Sequence, residues 1–175
     1  MFARLEDLLE EIVRAGEIMV QTIRSGKKIL VCGNGGSAAD AQHFAAEMVG
    51  RFKRERAAWP VIAMTTDTSI LTALSNDYSF NFVFARQVEA LAQERDLLLG
   101  ISTSGESTNV LLAVEAAREK QVKTVSLLGR DGGRITSVSN IVVVVPEMAT
   151  ARIQEAHGFI LHAWCAMLEE ELASS

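Results

Sequence analysis

Ile29-Leu30-Val31-Cys32-Gly33-Asn34-Gly35-Gly36-Ser37 is the stretch that decides the fold. It opens as a strand-like apolar run and passes into a glycine-rich turn. The pattern then becomes helical, with Ala38, Ala39, Ala41, Phe44, Ala45, Ala46 and Met48. A strand, a glycine turn and a helix N-terminus turn free backbone N–H groups toward a bound group. Asp40, His43 and Glu47 are three and four residues apart, so they share one face of that helix. Two carboxylates and an imidazole beside a ligand turn describe a small-molecule site that moves protons.

Outward from this stretch, strand-like runs recur at 28–32, 61–64, 96–101, 123–128 and 141–145. The runs at 96–101 and 141–145 are almost continuously apolar, as strands are when a parallel sheet is buried on both faces. Helical segments near 38–52, 68–75, 80–93 and 107–120 lie between them. The alternation predicts a three-layer α/β sandwich built on five parallel strands. A long amphipathic helix over 3–25 carries Leu5, Leu8, Leu9, Ile12, Met19 and Ile23 on one stripe, and Gly26 stops it. A second long helix, about 150–171, closes the chain. Both exceed what five strands need as cover, and they are expected to serve oligomerisation.

The 175 residues predict a single domain over 1–175. A hydrophobic content of 49% excludes disorder. No apolar run reaches the roughly 18–20 residues of a membrane span. The net charge is −5 with no basic stripe, which argues against direct binding to a nucleic-acid backbone. The N-terminus lacks the pattern of a signal peptide, and a cytoplasmic location is expected. Cys32 and Cys165 are too few for a disulfide framework or a thiolate metal cluster, and Cys32 is taken as core.

Ser102-Thr103-Ser104-Gly105-Glu106-Ser107 follows the strongest strand and opens a helix. One hydroxyl there would be an ordinary cap. Four in six residues, at the C-terminal end of a parallel strand, suit a phosphate. Neither this loop nor the glycine turn has the spacing of a Walker loop or a dinucleotide fingerprint. Glu106 sets a carboxylate beside the anion loop. His43 and Glu47 can hold one cation, orient one another, or simply form a solvated face. His157 shares an apolar stripe with Ile153, Ile160 and Trp164, whereas His162 points away from it and packing does not account for it. Asn76-Asp77 has the composition of a loop.

Five segments in order resemble the sugar-isomerase (SIS) family, and within it the phosphoheptose isomerases: CGNGGSAADAQHFAAE (32–47), LSNDYSFN (74–81), LLGISTSGES (98–107), LLGRDGG (127–133) and RIQEAHGFILH (152–162). The resemblance implies a homotetramer with active sites between subunits. It implies isomerisation of sedoheptulose 7-phosphate to D-glycero-D-manno-heptose 7-phosphate, which feeds ADP-heptose and cell-surface polysaccharide. The family's sugar-phosphate contacts fall on Asn34, Gly35, Gly36, Ser37, Asn76, Asp77, Ser102, Thr103, Ser104, Ser107 and Gln154. Its zinc ligands, one ion per subunit, fall on His43, Glu47, Gln154 and His162. Its catalytic pair falls on Glu47 and His162, with Asp40 as a helper. The alternatives are a non-catalytic SIS-fold tetramer that binds a replication-initiator protein, and an isomerase of another sugar phosphate. Gln154 and His162 are eight residues apart, about 12 Å along one helix, so two chains are expected to supply them to one site, the alternatives being a helix that starts after Gln154 or a Gln154 that contacts sugar and not metal.

Overall fold

The computed structural model describes residues 6–173. The sheet is built from β1 (Ile29–Gly33), β2 (Val61–Ala63), β3 (Leu97–Ser102), β4 (Lys123–Gly129) and β5 (Ile141–Val145). All pairings are parallel, in the order β2-β1-β3-β4-β5. Every residue of β1 and β3 is buried, as their unbroken apolar runs require. Pro60 and Pro146 flank β2 and β5, where a missing N–H does not interrupt the ladder.

The helices are α1 (Leu9–Arg24), α2 (Gly36–Val49), α3 (Thr68–Asp77), α4 (Ala85–Leu91), α5 (Thr108–Glu119) and α6 (Thr150–Leu172). Strand side chains alternate between two cores. Ile29, Val31, Leu99, Ile101 and Leu127 face α1, α2 and α6. Leu30, Cys32, Leu98 and Leu128 face α4 and α5. Helix α1 ends as its sequence dictates. Gly26 adopts φ 69°, its N–H reaches the Ile23 carbonyl, and the Lys27 N–H reaches the Thr22 carbonyl.

Several expectations change. Of the helix predicted over 3–25, residues 3–5 lie outside the described residues, Leu5 among them. The terminal helices are not surplus cover. Both bury a stripe in the first core, and Trp164 of α6 donates its indole N–H to the Ile12 carbonyl of α1 at 2.9 Å. The segment 80–93 is a 3₁₀ turn, Phe80–Phe82, followed by the shorter α4, because Val83, Phe84 and Ala85 drop into the second core. Asn76 and Asp77 close α3 and are not in a loop. Asp67 caps that helix through the Ile70 N–H, and nothing in the sequence breaks it before Tyr78.

Candidate active site

Strand β1 is followed by α2 on one face of the sheet, and its neighbour β3 by α5 on the other. The chain leaves β1 for β2 on one side and returns to β3 on the other. The crevice beyond these strand ends is the switch point where open α/β sheets bind ligands. Two helices begin there without a side-chain cap, α2 at Gly35 and α5 at Ser107. Their first N–H groups and their dipoles favour an anion.

The serine loop is ordered from within. Ser102 accepts the Gly105 N–H at 3.1 Å and lies 3.0 Å from the Ser107 hydroxyl, while Ser104 accepts the Glu106 N–H at 3.1 Å. Thr103 and Ser104 are partly exposed. Gly105 touches the loop after β4, where a Cβ would meet the Gly132 carbonyl oxygen at 2.0 Å. Glu106 does not face the anion loop as a free charge. Its carboxylate accepts from the Arg134 backbone N–H at 2.9 Å and from the Arg134 side chain at 2.7 Å. These bonds to Arg134 hold its carboxyl below the usual range.

In the glycine turn, Asn34 and Asn109 exchange two amide hydrogen bonds, each 2.8 Å. Asn109 is buried in the first turn of α5, and the sequence reading does not single it out. Its signal is an amide two residues after the serine loop, inside the first turn of a helix where packing would favour an apolar residue. Gln154 of α6 lies against the same turn. A Cβ on Gly36 would fall 2.2 Å from Gln154 Nε2, so a larger residue there would push the Gln154 amide off the turn. Asn76 and Asp77 are exposed at the end of α3, bonded to one another at 2.8 Å.

Lower on α2, the face predicted for Asp40, His43 and Glu47 meets α6. His43 Nε2 is 3.0 Å from Glu47 Oε1 and 3.4 Å from His162 Nε2. One donor atom from each of the three residues lies within 4.8 Å of the others. Protonated, His43 Nε2 donates to Glu47 Oε1 and faces His162 Nε2 as a second acceptor. Deprotonated, the three residues turn three lone pairs toward one point, where a cation could accept them. A tetrahedral zinc with ligands at about 2.0–2.1 Å spaces them by roughly 3.3 Å, close to the two measured separations. His43, Glu47 and His162 therefore fit a metal. Asp40 is half-buried, and its Oδ2 is buried without a hydrogen-bond partner. Burial raises its pKa to about 6, against a smaller pull from His43.

His157, by contrast, is fully buried, with Nε2 3.1 Å from the Leu128 carbonyl. Cys32 is buried as expected, and burial pushes its thiol up to about 12, which removes it as a nucleophile. A groove at the opposite end of the sheet, lined by Gln21, Arg95, Asp96, Gln121 and Lys123, includes none of the converging donors described above.

The family model for the SIS domain matches residues 1–129. The chain belongs to the SIS domain family. Within it the chain is 56% identical over 165 residues to a phosphoheptose isomerase of a Nitratiruptor species, covering 94% of this chain and 88% of that protein. Among solved structures, phosphoheptose isomerase GmhA from Neisseria gonorrhoeae superposes with a TM-score of 0.88 at 49% identity, covering 93% of this chain and 87% of that one. A phosphoheptose isomerase from Francisella tularensis gives 0.90 at 42% identity, with the same coverage. The SIS fold of these relatives is the five-stranded sandwich described above. Among the described residues, no helix is long and apolar enough to cross a membrane.

Proposed function

We propose that this chain is an aldose–ketose isomerase that interconverts sedoheptulose 7-phosphate and D-glycero-D-manno-heptose 7-phosphate in the cytoplasm, for ADP-heptose and cell-surface polysaccharide. One SIS domain over residues 1–175 carries the reaction. The observation behind this reading is the convergence of Glu47, His43 and His162, two of them on the helix that begins at the glycine turn, in a chain so similar to phosphoheptose isomerases.

The phosphate sits at the start of α5, held by Ser102, Thr103, Ser104, Ser107 and the free N–H groups. Asn34, Gly35, Gly36 and Ser37 line the sugar from α2, Gln154 meets it from α6, and Asn76 and Asp77 approach from α3. Glu47 removes the proton from C1 of the ketose and an enediol forms. The same proton, carried by Glu47, is returned to C2. His162 moves the hydroxyl proton from O1 to O2 when its Nε2 is free of metal; with that lone pair on a cation, this role passes to the electrophile. Only one Glu47 oxygen faces His43, which leaves the other for the proton. Asp40, with its raised pKa, is a proton donor for ring opening near neutral pH. His43, Glu47 and His162 would hold one zinc per subunit, and the metal when bound would supply an electrophile for the developing oxyanion.

Gln154 stands eight residues before His162 on α6, about 12 Å of rise, and lies at the Gly36 turn. As a fourth metal ligand it would come from a neighbouring subunit of a homotetramer whose sites lie between chains. The open setting of His43 and His162 in one chain supports this. Gln154→Ala and His162→Ala chains, refolded together as mixed oligomers, regain activity if sites are shared. Only the average of the two mutants means that both act within one chain.

Assay of the purified protein with sedoheptulose 7-phosphate, its unphosphorylated sugar and other ketose phosphates tests the reaction. Equal turnover without the phosphate sinks the assignment of the serine loop. Elemental analysis of protein purified without chelator should find zinc. Its absence, with no response of activity to added zinc, removes the metal from the mechanism.

A further inference from the structure

The segment 50–58, between α2 and β2, is neither helix nor strand, yet its path is fixed by one buried carboxylate. Glu169 of α6 is 2% exposed. It accepts the backbone N–H groups of Phe52 at 3.0 Å, Lys53 at 3.0 Å and Arg54 at 3.1 Å. Arg56 Nε stands 3.4 Å from Glu169 Oε1, and both side chains are 3% exposed. Burial drives the Glu169 pKa up, but the three N–H groups and Arg56 outweigh it and hold the carboxyl below its usual range. The rest of the Arg56 guanidinium bonds the carbonyls of Glu47 at 2.7 Å and Met48 at 2.9 Å, which ties down the last turn of α2. It also lies over the Trp59 ring, 3.6 Å from the centroid.

Both ends of this assembly touch the proposed site. Arg56 holds the backbone of Glu47. Phe52 stacks on the ring of His162, with centroids 5.4 Å apart and planes 23° from parallel. His162 and His43 meet edge to face, with centroids 5.0 Å apart. A ligating or proton-carrying histidine is ordinarily oriented by a hydrogen bond from its other ring nitrogen. Among the described residues, His162 Nδ1 has no such bond. The Phe52 ring provides the orientation.

We propose that Phe52, Arg56 and Glu169 are positioning residues for His162 and Glu47: the buried Glu169–Arg56 pair clamps the 50–58 segment so that Phe52 fixes the His162 imidazole against His43 and Glu47. The functional part rests on the isomerase reading given above. The geometric part stands without it.

The test uses metal-free protein labelled at histidine, and three variants: Phe52→Leu, Phe52→Tyr and Glu169→Gln. In wild type the ring protons of His162 carry a ring-current shift from Phe52. That shift should vanish in Phe52→Leu and in Glu169→Gln and persist in Phe52→Tyr. Zinc affinity, measured by chelator competition, should fall about 10-fold or more in the first two and recover in Phe52→Tyr, the range found for partners that orient a ligand. kcat should fall with little change in KM, because the phosphate loop lies at another helix. If Phe52→Leu leaves the His162 shifts and the zinc affinity as in wild type, the proposal is overturned. If Glu169→Gln does not fold, the two Phe52 variants decide alone, since they leave the buried pair intact. A wild type that binds no zinc and turns over no sugar phosphate refutes the isomerase reading, and the ring shifts still decide the positioning.

Discussion

Helix α6 carries two histidines five residues apart, about 140° around its axis. On the inner face, His157 lies among Ile153, Ile160 and Trp164, bonds one carbonyl, and is held neutral. On the outer face, His162 is exposed, stacks on Phe52 and points at His43 and Glu47. The same side chain is part of the core in one setting and part of the proposed chemistry in the other. What separates them is the company each face keeps, fixed by the period of the helix. The first face should govern stability and the second turnover.

The most severe way to break that division lies on the outer face. Glu47→Gln keeps size and hydrogen bonding but cannot take a proton, so turnover should fall by roughly 10²–10⁴. Deuterium exchange at the substrate carbon should fall with it, and the melting temperature should hardly move. Normal exchange in the variant would assign the base to another residue.

The inner face predicts the opposite pattern. Burial lowers the His157 pKa from 6.5 to about 4, although its bond to the Leu128 carbonyl opposes the shift. In acid the unfolded chain therefore takes up the proton first. The stability associated with neutral His157 is complete above about pH 6.5 and is lost as the pH falls toward 4. The shift corresponds to about 3 kcal/mol. His157→Gln retains a donor and cannot titrate. Denaturant melts at pH 7 and pH 4.5 should show a smaller acid loss in the variant, with specific activity retained. An unchanged loss would place the acid sensitivity elsewhere.

A third test concerns the serine loop, which belongs to neither face of α6. On the proposed phosphate binding, Ser107→Ala removes a charge-assisted hydrogen bond of about 1.5–3 kcal/mol, so KM should rise by roughly 10- to 100-fold with a smaller change in kcat. A fall in kcat at constant KM would move Ser107 from binding to chemistry.

Much of this division is legible along the chain. The apolar runs of β3 and β5 and the stripe of α6 are local and periodic, so the sandwich and the separate settings of His157 and His162 follow from spacing alone. The shared face of Asp40, His43 and Glu47 follows in the same way. What spacing does not carry is contact between distant segments. Asn109 meets Asn34, Arg134 turns Glu106 away from the anion loop, and Glu169 gathers the N–H groups of 52–54. Each partnership joins residues with no periodic relation. The end of α3 is hidden for a different reason. Asn76 and Asp77 are turn-formers by preference, but the Asp67 cap commits the segment to helix before they are reached.

The paired amides of Asn34 and Asn109 join helices that lie on opposite faces of the sheet. A ligand held between the starts of α2 and α5 would act as a second brace across the two cores, resisting any sliding of one layer over the other. Substrate would then serve as a reversible cross-link as well as a reactant. At a hundred times its dissociation constant it should add about 2.7 kcal/mol to the unfolding free energy. Protection from hydrogen exchange should rise in both layers together.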